Sequence, residues 1–323
     1  MNKKNGIFVV LAVLAVFAFL YGNTRGTEVI PYRRILELLS ERSDAPDSLI
    51  FWNIRLPRMI LAALVGINLA LAGGILQGIM NNPLADPSII GISSGAGFCG
   101  ILLLVIFPQY VQFVPIAAFL GAMLAAGIIY FLAWHEGIET TRIILAGVAV
   151  STLFGAGISG ILVFFSDRVH GALTFMNGSL SARSWPEVQM ILPYTVAGVL
   201  LSLLFSEKLN ILVLGDDMAR AMGLNVEKAR LGFTALAAFL AASAVSVVGL
   251  LGFVGLIVPH AVRMLIGSDY RRTIPAFALL GASVLMLSDT FARTLLSPKE
   301  IPVGIIMAII GVPFFLTLLR RSC

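Results

Sequence analysis

The sequence has few charged residues, few histidines and almost no cysteine. Of its 323 residues, 12% are charged and 59% are hydrophobic, whereas about a quarter of the residues in an ordinary soluble domain are charged. Its 3 histidines and 2 cysteines are scattered, so we expect no disulfide framework, metal site or hydrolytic centre. The composition excludes a soluble enzyme, a disordered chain and a nucleic-acid-binding protein.

The sequence also lacks the Gly-Lys pair of a P-loop, in which backbone amides and a lysine hold the phosphates of a nucleotide. Each of its lysines follows Asn, Lys, Glu or Pro. We therefore expect that the chain does not bind ATP by that route, that it is not an enzyme and that it holds no cofactor.

Most of the sequence consists of long apolar runs. A membrane-spanning helix needs roughly 20 mostly apolar residues. The sequence has about ten such runs, near residues 7–21, 59–80, 92–107, 113–133, 143–165, 188–205, 231–250, 253–266, 274–292 and 303–319. The third and the eighth are short. The pattern predicts an all-α polytopic membrane protein with about ten transmembrane helices, in a single domain that comprises residues 1–323.

Terminal charges give a weak indication of orientation. Lys3 and Lys4 precede the first run, and Arg320 and Arg321 follow the last one. Basic residues near membrane-spanning segments favour the cytoplasmic side. We therefore expect both termini in the cytoplasm, and a retained first helix rather than a cleaved signal peptide. We attribute the net charge of +5 to basic residues that flank the membrane-spanning segments.

The apolar runs contain few groups that titrate. Asp289 is the one acidic residue well inside a run, and Arg293 follows it on the same helical face. A local ion pair accounts for this spacing, and an ion-coupled secondary transporter that uses Asp289 is the alternative. His260 follows Pro259 and is more typical of a packed, hydrogen-bonded histidine than of a proton relay.

Two arginines stand just before the second run, in the sequence Arg55-Leu56-Pro57-Arg58. Pro57 suits the first turn of a helix, where its missing N–H is not needed. Two guanidinium groups at the membrane boundary either extend toward lipid headgroups or face a partner protein. The spacing alone leaves both interpretations open.

A second polar stretch, from Asn81 to Ser88, interrupts the apolar runs and contains two prolines. Irregular backbone at membrane depth is tolerated only where protein covers it or where it lines a cavity. The stretch is therefore either a tight connecting turn or a constriction of a pathway on the inner side.

The longest inner loop runs from Leu212 to Arg230. Asp216 or Asp217 can cap a short helix that ends at Gly223, and Asn225 can cap the helix that follows. The short helix is either a plain amphipathic connector or a surface that docks a cytoplasmic partner.

Taken together, these stretches resemble the FecCD permease family, the BtuC-like membrane subunits of type II ABC importers. Five motifs carry the resemblance, occur in the family's order and cover essentially the whole chain. They are Arg55-Leu-Pro-Arg58, Gly74-x-x-x-Gln77-x-x-x-Asn81-Asn-Pro-Leu-Ala-Asp-Pro87, Leu214-Gly-Asp-Asp-x-Ala219-x-x-x-Gly223, Gly252-Phe-Val-Gly-Leu-Ile-Val-Pro-His260 and Glu300-Ile-Pro-Val-Gly304.

The resemblance implies a multi-subunit transporter in the bacterial cytoplasmic membrane. Such permeases have ten spans and pair as homodimers, or as closely related heterodimers, around a central pathway. Two separate ABC ATPase subunits dock from the cytoplasm, and an extracytoplasmic substrate-binding protein delivers the ligand. The resemblance also implies alternating access driven by ATP, with selectivity mainly in the binding protein.

The resemblance assigns roles to individual positions. The ATPase-coupling helix corresponds to Gly215, Asp216, Asp217, Ala219, Met222 and Gly223. The arginines that pair with glutamates of the binding protein correspond to Arg55, Arg58 and Arg293. The inner narrowing of the pathway corresponds to Asn82 and Leu84, and the helix that lines the pathway corresponds to Gly147, Gly155, Gly157 and Gly160.

Members of the family carry iron(III)–siderophores, haem or cobalamin. Gly178-Ser179-Leu180, followed by Trp185, is more similar to siderophore importers than to the cobalamin branch. The resemblance therefore implies a permease that moves a ferric siderophore into the cytoplasm, with haem or cobalamin import as the alternative.

Overall fold

Helices form most of the chain. The structure, a computed structural model, describes residues 3–26, 28–40, 45–134 and 140–322. Among these residues there is no β-strand, which confirms the all-α prediction.

The described residues form sixteen α-helices, α1 to α16 in chain order. They are Lys3–Thr24, Tyr32–Ser40, Pro46–Ile50, Leu56–Ile79, Pro87–Ile90, Ile92–Ile106, Val114–Ala133, Thr140–Phe164, Val169–Asn177, Trp185–Leu204, Ser206–Val213, Asp216–Ala221, Val226–Val248, Val254–Ile266, Tyr270–Thr294 and Val303–Ser322. A π-helical turn at Phe51–Arg55 joins α3 to α4, so that the two form one continuous helical segment.

The helices account for the apolar runs. Within the described ranges, 7 helical segments are long and apolar enough to cross a membrane: α1, α3–α4, α7, α8, α10, α13 and α15. Three shorter apolar helices, α6, α14 and α16, complete the set. The predicted polytopic architecture is confirmed, and the two runs expected to be short are α6 and α14.

Helix α4 is the centre of the bundle. Nearly all of its residues are buried, and it packs against α10, α13, α14 and α15. Glycines allow the closest approaches, since Gly66 lies against Gly281 on α15 and Gly73 lies against Gly255 on α14. Lipid provides no hydrophobic drive between helices, so close packing of small residues is what holds them together.

Several helix ends meet inside the bundle. Helices α9 and α13 end, and α16 begins, where three backbone hydrogen bonds join their flanking segments. These bonds run from Leu250 N to Phe175 O (2.8 Å), from Ser179 N to Val248 O (2.8 Å) and from Gly304 N to Gly178 O (3.2 Å). Polar backbone groups freed at a helix break need such partners when they are surrounded by protein and lipid. The bonds therefore stabilise non-helical backbone within the bundle.

The bundle has two chemically different ends. The Arg58 end comprises the start of α4, the end of α15 and the loop 295–302. The Asp216 end comprises α11, α12 and the start of α15, where Asn210 Nδ2 donates to Asp269 Oδ1 at 2.8 Å. The candidate sites lie at these two ends and between them.

Candidate functional site

Arg58 links three parts of the chain at the Arg58 end. Its Nε and Nη2 each donate to a different carboxylate oxygen of Asp289 on α15, both at 2.9 Å. Its Nη1 donates to both carboxylate oxygens of Glu300 at 3.0 Å. Arg58 is only 5% exposed. Its charge is balanced by the carboxylates of Asp289 and Glu300 in the same chain. Charge-assisted bidentate contacts of this kind are short and directional.

The other two arginines predicted to dock a partner are buried as well. Arg55 is 3% exposed and Arg293 is 4% exposed. Arg55 donates to backbone oxygens at the end of α1 and in the segment that follows it. Arg293 donates to the backbone oxygen of Gly22 on α1. All three guanidinium groups therefore bind groups of their own chain, and their docking role stays a prediction.

Asp289 has a closer partner than its helical spacing indicates. The expected contact with Arg293 exists, but its Nε–Oδ2 distance is 3.9 Å, against 2.9 Å for the contact with Arg58. Asp289 is fully buried, and a buried carboxylate is tolerated when it is paired with a cation. Sequence reasoning identified both residues but not the pairing, since 231 positions separate them.

Glu300 is the part of this cluster that solvent reaches, since 33% of its side chain is exposed. Partial burial by itself would raise its pKa, but the charge and the hydrogen bonds of Arg58 hold the pKa of Glu300 below its usual value. Glu300 is thus a stable anion at the solvent-exposed edge of the buried cluster.

A short exposed helix, α12, lies at the Asp216 end. Gly215, at φ 98°, precedes it and Gly223, at φ 82°, follows it. Both values lie in the left-handed region that favours glycine. Met218 and Met222 are each 56% exposed. Helix α12 therefore presents a small apolar face that is bounded by two tight turns.

The residues predicted to couple to an ATPase divide into two groups. Asp217 and Met222 face outward, whereas Ala219 is completely buried. The predicted cap is wrong, because α12 begins at Asp216 and Gly215 occupies the cap position. Asp216 instead binds Arg230 on α13 at 2.7 Å. The sequence motif passed over Met218, whose exposure equals that of Met222.

The loop after α4 is folded by its own side chains. Asn82 Oδ1 accepts a hydrogen bond from Leu84 N at 2.9 Å. Asp86 caps α5, since its Oδ1 accepts from Ser88 N at 2.8 Å. This loop after α4 is a tight turn, and its predicted role in narrowing a pathway is untested by this geometry.

The predicted cap of α13 is confirmed, because Asn225 accepts a hydrogen bond from Lys228 N at 3.0 Å.

The four glycines predicted to line a pathway on α8 do not share one environment. A Cβ atom on Gly147 would stand against the backbone of Ile90, and one on Gly157 would stand against the ring of Phe98. A Cβ on Gly155 or Gly160 would meet no atom of another described segment within 4 Å. Gly147 and Gly157 therefore serve packing within the chain, while Gly155 and Gly160 face open space.

A cavity of about 680 Å³ lies where the helix ends meet. Its wall is formed by residues from α5, α6, α8, α9, α16 and the segment 250–253: Ser88, Ser93, Ser94, Ser151, Met176, Asn177, Leu250, Leu251, Gly252, Phe253, Gly304, Ile305, Ala308 and Ile309. None of these described residues carries a charge. Sequence reasoning missed this cavity because its residues come from six separate segments.

The described residues contain no group of three or more His, Cys, Asp or Glu side chains that could hold a metal ion. The fold and the sites define a class: a polytopic helical membrane protein with an exposed short helix at one end and an uncharged, mainly apolar cavity between its helices. These features fit a transport subunit that receives energy from another chain.

Comparison with known proteins identifies the family. Residues 11–321 match the model of the FecCD transport family. The chain is 39% identical over 315 residues to the Fe(3+)-citrate import system permease protein YfmE of Bacillus subtilis, with 97% of this chain and 92% of the relative covered. It is 42% identical to the cobalamin import system permease protein BtuC of Halobacterium salinarum, with 83% and 72% covered.

A solved structure agrees with these sequence matches. It is an inward-facing conformation of a metal-chelate type ABC transporter, which superimposes with a TM-score of 0.85 at 29% identity and covers 98% of this chain and 99% of that one. The chain belongs to the FecCD transport family. It is accordingly a multi-pass permease subunit of an ABC importer, and ATP is hydrolysed by a separate subunit.

Proposed function

We propose that this chain forms the membrane pathway through which an iron(III)–siderophore complex enters the cytoplasm. The observation that carries the proposal is α12, a helix with two exposed methionines at one end of a family permease that has no P-loop of its own. Each permease copy presents one α12, and one of two separate ATPase subunits docks on it.

Movement of α12 has a direct connection to the interior. The ion pair between Asp216 and Arg230, at 2.7 Å, ties α12 to the first turns of α13. The far end of α13 leads into the segment 250–253, which lines the cavity. Closure of the ATPases on ATP therefore pulls on α13 and changes the shape of the cavity wall, which gives alternating access.

The proposed import into the cytoplasm implies an orientation of the chain in the membrane. We place the Asp216 end in the cytoplasm, together with both termini, and the Arg58 end outside the cytoplasmic membrane. An extracytoplasmic binding protein docks at the Arg58 end. Because Arg58 is buried, we expect Glu300 and its exposed neighbours, rather than Arg58 itself, to meet the binding protein first.

The pathway lies between two permease copies, either identical or closely related. Gly155 and Gly160 on α8 face open space outside their own chain. Leu153 on α8 and Ile309 on α16 are 70% and 64% exposed. A second copy placed against these helices would enclose the open side of the cavity.

The substrate assignment is the finer part of the proposal. It is supported by the similarity to a Fe(3+)-citrate permease along 97% of this chain. The similarity to a cobalamin permease at 42% identity keeps cobalamin, and with it haem, as the second candidate. An ion-coupled secondary transporter has less support, because Asp289 is held by Arg58 in a closed ion pair.

The proposal is tested by uptake of radiolabelled iron in cells that contain or lack this chain. Iron is supplied as a panel of chelates, including ferric citrate and a ferric hydroxamate. We expect the intact chain to restore uptake of at least one chelate, and we expect a variant with Met218→Asp and Met222→Asp to insert into the membrane without restoring it.

Two outcomes would contradict the proposal in different ways. Iron uptake that never depends on the chain would redirect the substrate to haem or cobalamin. Normal uptake by the double Asp variant would remove α12 as the docking element. Membrane insertion of each variant is checked by cell fractionation, and a Met264→Asp variant serves as the control for a charge placed on another exposed methionine.

A further inference from the structure

A groove that contains two lysines runs between α10 and α13 at the Asp216 end of the bundle. Its volume is about 220 Å³, and it shares no residue with the cavity where the helix ends meet. Its residues recur at intervals of four along each long helix, so each helix contributes one face. This α10–α13 groove is lined by Leu201 and Phe205 of α10, Lys208 of α11, and Lys228, Gly232 and Leu236 of α13.

Apart from the two lysines, the wall of the α10–α13 groove is apolar. Leu236 is only 9% exposed and lies at its base. A Cβ atom on Gly232 would meet no atom of another described segment within 4 Å, so the missing side chain leaves the groove open there. Leu204 and Leu231 beside the groove are 71% and 46% exposed. Exposed leucines on two membrane-capable helices are typical of a surface that contacts acyl chains.

The charges of the two lysines are not balanced within the described part of the chain, where neither Lys208 nor Lys228 forms an ion pair with a carboxylate. Each lysine follows a glutamate in the sequence, but adjacent residues on a helix do not face each other. Glu207 pairs instead with Arg271, at 2.5 Å. The groove therefore combines an apolar wall with two uncompensated positive charges.

Both lysines lie where the apolar part of a spanning helix ends. Helix α10 ends at Leu204, and Lys208 follows one turn later, with its Nζ atom 4.9 Å from the centre of the Phe205 ring. Lys228 lies in the first turn of α13, which carries no charged residue from Leu231 onward. The groove therefore extends from the level of the lipid headgroups into the hydrocarbon region.

We propose that the α10–α13 groove binds an anionic phospholipid, with Lys208 and Lys228 on the headgroup phosphate and an acyl chain along Gly232 and Leu236. Basic pockets between transmembrane helices on the cytoplasmic side, where we place this end, bind such headgroups. The apolar wall favours a lipid over a soluble phosphate. The lipid bridges α10 and α13, and α13 is the helix that an ion pair joins to α12. The inference goes beyond the proposed function, since the site is independent of the substrate.

The test is lipid binding to the purified full-length chain in detergent, measured by native mass spectrometry. Phosphatidylglycerol and phosphatidylcholine with the same acyl chains are titrated separately. We expect the intact chain to bind phosphatidylglycerol about tenfold more tightly, because each lysine near the headgroup favours an anionic lipid. A variant with Lys208→Gln and Lys228→Gln should bind the two lipids equally, whereas one with Lys208→Arg and Lys228→Arg should keep the preference.

Two single variants separate the groove from the general charge of this end. Arg272→Gln removes another exposed basic residue, near the start of α15, and should keep the preference for phosphatidylglycerol. Gly232→Leu fills the groove without changing a charge, and should weaken the binding of phosphatidylglycerol severalfold. All of these variants change exposed positions, so their melting temperatures in lipid-free detergent should equal that of the intact chain.

The inference is overturned if the intact chain binds both lipids equally, or if the double Gln variant keeps the preference. It is also overturned if Arg272→Gln loses the preference as fully as the double Gln variant does, or if Gly232→Leu binds phosphatidylglycerol normally. Glycerol 3-phosphate in large excess should not displace the lipid, and displacement would show a site for a soluble phosphate instead. Failure of the proposed function is seen separately, in cells, as iron uptake that does not depend on the chain.

Discussion

Arg58 holds Asp289 through two parallel hydrogen bonds, each 2.9 Å long, between residues that lie 231 positions apart. The pair fastens the start of α4 to the end of α15, and Asp289 is fully buried. Removal of one partner would leave the other as an uncompensated charge in the bundle. The cost of that state, rather than the attraction within the pair, makes the contact important for stability.

The first prediction concerns this pair. Arg58→Ala should destabilise the protein by about 3–5 kcal/mol, the usual cost of breaking a buried ion pair on one side. The measurement is thermal unfolding of the detergent-solubilised chain. A combined Arg58→Met and Asp289→Leu variant should regain only part of the loss, because it removes both charges of the pair but leaves the buried Arg293 without its carboxylate neighbour.

Arg34→Ala is the control for the loss of an arginine. Arg34 contacts Asp47 at 2.6 Å and Glu37 at 2.9 Å, but its side chain is 39% exposed. Exposed ion pairs contribute little, so this variant should unfold almost as the intact chain does. Equal stability of Arg58→Ala and Arg34→Ala would show that the buried pair is not what holds α4 to α15.

The second prediction uses the pKa of Glu300, which Arg58 lowers. A carboxylate whose pKa is lower in the folded state stabilises the fold above its unfolded-state pKa and loses that contribution as the pH falls through its folded-state pKa. The intact chain should therefore lose more stability than Glu300→Gln as the pH falls below about 4.3, the usual value for glutamate. Melting temperatures measured along a pH series give the difference between the two proteins. Parallel curves would contradict the prediction.

The sequence predicted the spans well because hydrophobicity is a local property. Seven of the apolar runs lie in helical segments long enough to cross a bilayer, and the other three form the shorter apolar helices α6, α14 and α16. Helix α9 was missed for the same reason, since Val169–Asn177 is too short to span a membrane. Its position depends on packing against α6 and on backbone hydrogen bonds with the segments that follow α13 and precede α16.

The candidate sites were predicted less completely than the spans. The motifs that contain Arg58 and Asp216 were found, and Gly155 was matched to a helix that lines the pathway, but such matches do not indicate which side chains point inward. Arg58 turned out to be buried, and Asp216 binds Arg230 instead of capping its helix. The cavity residues Ser93 and Ser151 gave no sequence signal, because their shared position depends on the packing of α6 against α8.

The third prediction concerns the close crossing of α4 and α15. A Cβ atom on Gly66 would lie 2.2 Å from Gly281 O, so Gly66→Ala must push α4 and α15 apart and lower the melting temperature. Gly232→Ala is the control, since Gly232 lies inside α13 with no atom near its Cβ position. Alanine there should be neutral or stabilising by up to about 1 kcal/mol. A Gly66→Ala protein as stable as Gly232→Ala would contradict the close crossing.

The fourth prediction concerns the exposed methionines of α12. Met218→Ala and Met222→Ala together should weaken association with the ATPase subunits, because they remove most of the apolar face of a short docking helix. Co-purification of the ATPases with the tagged permease measures the effect, and the melting temperature should stay unchanged.

Met264→Ala provides the comparison for α12. Met264 lies on α14 and is 68% exposed, so it loses a similar amount of exposed apolar surface. This variant should retain the ATPases. Ala219→Leu, by contrast, should destabilise the segment around α12, because Ala219 is completely buried and a larger side chain has no room there. Retention of the ATPases by the double Met variant would contradict the docking role of this face.

The last prediction separates the pathway from the packing of α8. Gly155→Leu and Gly160→Leu add side chains to open space, so each should leave folding intact and reduce uptake by narrowing the passage between permease copies. Gly127→Leu is the matched control, since Gly127 on α7 also has no atom of another described segment within 4 Å of its Cβ position but lies away from the cavity. Gly157→Leu should instead lower the melting temperature, because its Cβ would stand 2.6 Å from the ring of Phe98. Radiolabelled uptake and unfolding measured on all four variants distinguish blockage from instability. Normal uptake by both Gly155→Leu and Gly160→Leu would mean that this face of α8 contacts lipid and not the passage.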